Sequence, residues 1–424
     1  MQDTATAPRL SGVAVFFYVF LPFALGHYLS SLLRNVNAVL ASHLVGALAL
    51  TPGELGLLTS AFFFAFALVQ LPVGIALDRF GPRRVQLVMM LVGSLGALLF
   101  AHGSTFGQLL AARAVMGFGL GGCFMAAVKA VSSWIAPSRL PSVHGYLIAV
   151  GGLGAATATM PVRLALDYLE WRGLFVVLAA LVACTGLLVA LLYPRTEGPA
   201  PHRGPLGQAL RQVFRAPVFR ATASLVLVPH AVFFGIQGLW IGRFLSDVAR
   251  FPDEAVAYLL YMGMASVIFG AIAVGMITEW AGRRGVAPLD VAAAGIAVFL
   301  LVQAGFIAGY KPSFQLLSVL FTLVGTITGI EYAIIAQAMP RELTGRAATC
   351  LNLLIFIGAF VVQAGFGLLV GLWTPDAAGH APTIAYQLAF LVLVLVQLPG
   401  LARFVLRRRR EAAAQAMAAV PAVS

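Results

Sequence analysis

The chain has 424 residues, 61% of them apolar and 10% charged, against roughly 25% charged in an ordinary soluble domain. That balance excludes a soluble fold and leaves room for twelve bilayer-spanning helices of about 20 apolar residues each. The net charge of +12 is no nucleic-acid footprint, because about 19 of the 27 basic residues fall in loops on one side of the inferred membrane and about three on the other. Cys123, Cys184 and Cys350 lie inside apolar spans with neither metal spacing nor a disulfide framework, and read as small packing residues. Arg9 ahead of an apolar run from Val13 has the look of a signal peptide. The run continues past a signal core and further spans follow, so it is expected to remain as the first helix.

In chain order, the first helix is expected over about Val13–Ala41. His27, Ser30, Ser31, Arg34 and Asn37 recur at i, i+3, i+4, i+7 and i+10 and share one face. Polar groups aligned in an apolar helix cannot face lipid, so this face looks at a cavity or another helix. Thr51-Pro52-Gly53-Glu54 reads as a helix start, with threonine as cap, proline in the first turn and glutamate completing a capping box. Phe251-Pro252-Asp253-Glu254 stands in the matching place before the eighth helix. The second helix ends at Asp78 within Gly74-Ile-Ala-Leu-Asp-Arg-Phe-Gly-Pro-Arg-Arg84, and the third runs from about Arg84 to Ala101. The fourth begins near Phe106, carries Arg113-Ala-Val-Met-Gly117-Phe-Gly119 and continues through Lys129 to Trp134. The fifth, about Pro141–Leu164, has Gly151, Gly152 and Gly154, which permit close helix packing. The sixth ends at Tyr193-Pro194.

Between Arg195 and Arg220 the composition shifts to proline, glycine and arginine, as expected of a cytoplasmic linker with a short amphipathic helix on the inner leaflet. The seventh helix, about Ala221–Phe244, repeats the plan of the first with His230, Phe233, Phe234, Gln237 and Trp240. The eighth leads into Gly275-Met-Ile-Thr-Glu-Trp-Ala-Gly-Arg-Arg284, and the ninth starts near Pro288. The tenth, roughly Ser313–Met339, contains Glu331; the eleventh follows Arg341 and Arg346 and carries Asn352 and Gln363. The twelfth ends in Arg407-Arg408-Arg409-Arg410, and the alanine-rich tail after Glu411 is expected to be mobile.

Gly74, Asp78, Gly81 and Arg83 recur as Gly275, Glu279, Gly282 and Arg284, each 201 positions on (275 − 74 = 201). A glycine, an acid and basic residues repeated in register imply two halves of one architecture. The pattern resembles the loop between the second and third helices of the major facilitator superfamily of transporters, whose second half has its own copy. The resemblance implies an all-α membrane protein of twelve transmembrane helices in two pseudo-symmetric six-helix bundles, here 1–194 and 221–424, joined by the linker 195–220. It also implies that Asp78 and its counterpart Glu279 belong to a conformational lock, with Arg79, Arg83, Arg84 and Arg284 setting the charge balance. Glycines permit the tight turns, and an acid held among arginines makes a contact that opening breaks. Topological anchoring is the other reading of the arginines.

The fourth-helix pattern R-x-x-x-G-x-G, with Lys129 and Trp134 beyond it, is similar to two branches of that superfamily, the organic anion:cation symporters and the nitrate/nitrite porters. Arg34-Asn-Val-Asn-Ala resembles the first-helix arginine segment of the former, which implies substrate contact by Arg34. A mid-helix arginine costs at least roughly 2.5–3.5 kcal/mol, so compensation is expected; the alternative is snorkelling over about 10 Å to the helix end. Lys129 matches the lysine of the same branches, with cavity and snorkelling readings both open. His27, Asn37, His230, Gln237 and Trp240 complete the candidate cavity lining, packing being the alternative for the aromatic stripe. Arg113 is either structural or part of a proton relay, and Arg163 and Arg243 read as interfacial. The chain also departs from the pattern. Leu33 and Leu120 stand where organic anion symporters usually carry acids, and helices 2 and 8 lack the arginines of nitrate porters. Proton coupling then falls to Glu331, the one carboxylate expected deep within a span. It lies about 200° from Gly329 at 100° per residue, away from a packing stripe of Gly325, Gly329 and Ala336, and faces the cavity or a basic partner such as Arg34 or Lys129.

The expectation is therefore a monomeric secondary transporter of the inner membrane, with both termini cytoplasmic, importing a small organic anion such as a carboxylate by proton symport and alternating access. Its partners are that substrate, protons and a bilayer with an anionic inner leaflet, with no nucleic acid, metal or cofactor. No ATP-binding loop or catalytic constellation argues for an enzyme. Two other classes stay open: an exporter of amphipathic or metal-chelating compounds, marked by a wide aromatic cavity and tolerance of Arg34 loss, and a non-transporting membrane sensor, marked by binding without flux.

Overall fold

The computed structural model describes residues 11–135, 139–194, 206–376 and 379–418. Within a bilayer every backbone donor and acceptor must be satisfied inside the chain, so apolar segments of this length become helices. Among the described residues, eleven helices are long and apolar enough to cross a membrane. The longest, Pro52–His102, is interrupted at Gly81, whose φ of 76° and ψ of 162° are not helical. A positive φ suits a residue without a side chain, and Pro82 restarts the helix at once. Counted on both sides of Gly81, the spans number twelve among the described residues: α1 (Gly12–Asn35), α2 (52–80), α3 (82–102), α4 (Phe106–Ser132), α5 (Val143–Ala165), α6 (Trp171–Leu192), α7 (Pro217–Gln237), α8 (Asp253–Gly282), α9 (Pro288–Ala308), α10 (Lys311–Ala338), α11 (Gly345–Val370) and α12 (Thr383–Glu411).

Caps and breaks are set locally. Thr51 Oγ1 accepts from the Glu54 backbone N–H at 3.2 Å, and the Glu54 carboxylate returns to the Thr51 N–H at 2.9 Å. Thr105 and Gln108 form the same reciprocal box ahead of α4. Several spans are discontinuous. α1 bends at Val36 and continues as Asn37–Leu48; α4 is interrupted at Gly121–Gly122; α7 is followed past Gly238–Leu239 by the short helix Trp240–Asp247. In α10 the turn Thr326–Gly329 is a tighter 3₁₀ segment. The expected end of the second helix at Asp78 is two residues short, because helical backbone runs on to Phe80. The second copy of the loop repeats in sequence but not in backbone conformation: Gly282 closes α8, and the positive φ falls on Gly285. Helix continues from α12 to Ala418, so the described part of the expected mobile tail is ordered as helix; 419–424 lie outside the described residues.

The chain divides into two compact units, Met1–Leu50 with Ala61–Arg203, and Thr51–Ser60 with Gly204–Ser424. In the first, glycines bring helices together. A Cβ on Gly117 would lie 2.2 Å from the Phe62 carbonyl oxygen, and one on Gly119 would lie 2.1 Å from the Gly93 nitrogen. The two glycines of R-x-x-x-G-x-G are thus the contact points of α4 with α2 and α3, where only a missing side chain allows the backbones to approach. In the second unit the filling is aromatic. The Phe244 ring sits edge-on to Phe306, Phe314 and Tyr386 at 4.9, 4.7 and 5.6 Å between centroids. Gln303 of α9 and Gln397 of α12 bond through their amides at 2.8 Å, which satisfies polar groups inside an apolar layer. The linker helix Leu206–Arg215 buries Val213 in a cluster with Cys350, Leu351 and Ile355 of α11.

Candidate functional site

Two polar centres stand out, one in each unit. In the first, α1 and α4 exchange hydrogen bonds at two levels. Ser30 Oγ donates to the Leu120 carbonyl at 3.0 Å, and Arg113 Nη1 donates to the Leu33 carbonyl at 2.8 Å. Arg113 is wholly buried, with its guanidinium 5.0 Å from the centre of the Phe62 ring, and its Nε and Nη2 find no hydrogen-bond partner among the described residues. Next to Leu33, the half-buried Arg34 donates through Nη2 to Ser31 Oγ at 3.1 Å. Asn37 is wholly buried just past the bend at Val36. His27 occupies a helix contact: its Nε2 lies 2.3 Å from where a Gly151 Cβ would be, and its ring is 4.9 Å from that of Phe124. Of the glycines expected to tighten the fifth helix, Gly151 and Gly154 do so against α1.

In the second unit, His230 Nδ1 and Glu331 Oε1 are 2.6 Å apart, with side-chain exposures of 5% and 0%. A bare carboxylate at that burial is costly, and the imidazole is its hydrogen-bond partner. Phe234 stacks on His230 at 5.0 Å and 13°, and Tyr332 stands edge-on to it at 6.2 Å and donates its hydroxyl hydrogen to Asn352 Oδ1. Glu331 Oε2 has no hydrogen-bond partner among the described residues. The partner of Glu331 thus comes from α7 of its own unit, neither Arg34 nor Lys129. The helical-wheel argument fails here for a physical reason: the 3₁₀ turn Thr326–Gly329 changes the angle per residue just before Glu331. Of the expected packing stripe, Gly325 lies against Phe233, its Cβ position 2.2 Å from the ring, whereas nothing approaches Gly329 within 4 Å.

The remaining candidates are placed as follows. Lys129 Nζ binds Asp78 Oδ1 at 2.7 Å, which ties it to the end of α2 rather than to the α1 stripe. Arg83 Nε donates to the Ala190 carbonyl of α6 at 2.7 Å, and Arg79 lies over the Phe80 ring at 5.2 Å. Gly74 and Gly275 have open space where a side chain would stand. Glu279 pairs with Arg283 one turn on at 2.6 Å, and Arg284 covers the Trp280 ring at 3.7 Å. Gln237 Nε2 lies 2.8 Å from Met264 Sδ. Trp240 is fully buried; it donates to the Gln363 carbonyl at 2.9 Å, and Gly56 and Gly367 pack on its ring.

One cluster went unread in the sequence. Asp247, 2% exposed, accepts from Arg243 at 2.9 Å, from Tyr386 at 2.7 Å and from the His380 imidazole at 3.1 Å. Arg243 is therefore paired and buried rather than interfacial. The i, i+4 spacing of Arg243 and Asp247 was the available signal; the partners more than 130 positions away gave none.

The sequence profile of the Major Facilitator Superfamily matches residues 23–363. A probable sulfoacetate transporter, SauU of Cupriavidus necator, is 24% identical over 392 residues, covering 86% of this chain and 87% of its own. The niacin transporter NiaP of Acinetobacter baylyi is 26% identical over 347 residues, covering 81% of this chain and 70% of its own. Among solved structures, a bacterial homolog of the human lysosomal transporter Spinster, inward-facing and unoccupied, superposes with a TM-score of 0.75 at 18% identity, over 94% of this chain and 98% of that one. The twelve-span fold and the signature loops thus have their explanation, and this multi-pass membrane protein belongs to the major facilitator superfamily of transporters.

Proposed function

We propose that the chain carries a small organic anion, a carboxylate foremost, across the inner membrane by alternating access, and that proton symport drives uptake. The observation that carries the anion is the donor-rich pairing of α1 with α4. Arg34 and Arg113 lie there beside leucines at 33 and 120, where the resembling symporters have acids, so this face offers cations and hydroxyls without a carboxylate. Such a face favours an anion and disfavours a cation. The two relatives are named for sulfoacetate and niacin, which agrees with an acidic substrate.

The proton falls to His230 and Glu331. A buried carboxylate facing an imidazole can hold one proton between two bases, and the pair changes charge when that proton leaves. Arg34 is the substrate-binding arginine, with His27 and Asn37 beside it in the first unit and Gln237 and Trp240 the matching candidates within the second; Lys129 acts at the lock with Asp78. The two signature loops set the end states, and the carrier works as a monomer with its termini and linker in the cytoplasm. Counterflow in proteoliposomes tests the substrate class. Sulfoacetate and nicotinate, but not nicotinamide, should exchange, and an inward pH gradient should drive accumulation. Exchange of neutral or cationic compounds alone would sink the anion assignment.

A further inference from the structure

The linker helix Leu206–Arg215 presents a charged face that the rest of the second unit leaves open. Its Val213 is wholly buried and its Leu210 packs beside it against the cluster of Ala347, Cys350, Leu351 and Ile355, so one side of the helix is fixed to α11. The other side exposes Arg211, Phe214 and Arg215, which fall together at i, i+3 and i+4. Arg220, just inside α7, is exposed as well, and Phe214 stands edge-on to the buried Phe219 at 5.4 Å. None of these three arginines forms an ion pair among the described residues, whereas Arg283, Arg407 and Arg408 are each held by a carboxylate. The sequence offers no local counter-ion either, since no Asp or Glu occurs between Glu197 and Asp247.

Three arginines without acids, an exposed aromatic ring among them, and a chain that crosses a bilayer on both sides of the segment describe an interfacial anchor. We propose that Arg211, Arg215 and Arg220, with Phe214, form a docking surface for the anionic headgroups of phospholipids in the adjoining leaflet. The guanidinium forks match phosphate oxygens, and the ring suits the headgroup boundary. Because Val213 and Leu210 fix the helix to α11, lipid held on its free face bears on the same helix that supplies Gln363 and Asn352 to the second unit. The surface therefore links leaflet composition to the position of α11, a role that stands apart from the anion and proton assignments above.

Hydrogen exchange on the full chain in nanodiscs tests it. The wild type is compared in phosphatidylcholine alone and with roughly 30% phosphatidylglycerol. Backbone amides of 206–220 should exchange at least tenfold more slowly in the anionic discs, and ~0.5 M salt should remove most of that protection. The variant Arg211→Gln/Arg215→Gln/Arg220→Gln should lose it, each arginine accounting for roughly fivefold, while amides of α9 remain unchanged. Phe214→Ala, which keeps the charge, should retain most of the salt-sensitive part. Equal protection in both discs would overturn the proposal, as would protection that survives the triple variant. Slow exchange seen only in native membranes, and lost on purification into anionic discs, would assign the surface to an acidic protein partner and overturn it equally.

Discussion

In the first unit the polar groups that α1 and α4 bring together are mostly donors: Ser30 and Arg113 reach main-chain carbonyls, and Arg34 reaches the Ser31 hydroxyl. In the second, α7 and α10 meet through an imidazole and a carboxylate that answer each other. The difference lies in where charge is balanced. The first centre keeps a buried arginine with two donor nitrogens that have no hydrogen-bond partner among the described residues, and on the proposed reading its field favours an incoming anion. The second sets an acid against an imidazole, through one of the two Glu331 carboxylate oxygens. On the proposed reading one centre serves the anion and the other the proton, so variants that break either half should leave different signatures.

The largest effect is expected where that pairing is undone from one side. His230→Ala leaves Glu331 buried without its partner, a loss of roughly 3–5 kcal/mol for a broken buried pair. The apparent Tm in detergent should fall sharply, and the double variant His230→Phe/Glu331→Leu should recover most of it, since apolar replacement of a whole buried pair is often neutral. A single variant as stable as the wild type would mean that the two groups do not depend on each other. Next in size is Arg34. Arg34→Ala should weaken binding of an anionic substrate by on the order of 100-fold, within the range for truncating one partner of a buried charge pair. Arg34→Lys should rescue only in part, because an ammonium lacks the bidentate fork. Equal Kd values for wild type and Arg34→Ala, by equilibrium binding, would return Arg34 to a snorkelling role.

Coupling comes third. Glu331→Gln mimics the protonated acid, so the variant should exchange substrate across the membrane yet fail to accumulate it. For one proton per substrate, a gradient of one pH unit is worth about 1.36 kcal/mol, or tenfold accumulation, and that factor should collapse to one. Accumulation that keeps its full pH dependence would remove Glu331 from the coupling role.

How far the sequence carried these assignments depends on distance along the chain. Spans were legible because hydropathy is a local property, and Gly151 and Gly154 of α5 announced close packing without naming their partner. The Thr51–Glu54 box was legible for the same reason, being complete within four residues. The pairing of His230 with Glu331, 101 positions apart, was not, because the wheel that aimed Glu331 assumed a regular helix and the 3₁₀ turn in α10 broke it. Asp247 gives no local sign of its burial among three donors, because two of them lie more than 130 positions away. Lys129 matched a family motif by position, and only the structure shows that its ammonium ends at Asp78.

That last contact supplies the smallest prediction, and it compares the two signature loops directly. Asp78 reaches Lys129 across 51 positions, joining the end of α2 to α4, with side chains 44% and 30% exposed. Glu279 reaches only Arg283, four residues on, with side chains 69% and 77% exposed. A half-exposed ion pair contributes roughly 0.2–1 kcal/mol, and an exposed one within a single helix about 0.3–0.5 kcal/mol at best. The first contact also joins two helices, so a change in their spacing strains it, whereas the second moves with its own helix and feels no such change. Asp78→Asn should therefore alter the exchange rate by up to about fivefold without changing substrate Kd, and Glu279→Gln should leave both unchanged. A charge swap, Asp78→Lys with Lys129→Asp, should restore the rate if the pair itself matters rather than the sign of the loop. If both single variants slow exchange alike, the two copies act alike despite their different partners. If neither does, both loops serve only as anchors.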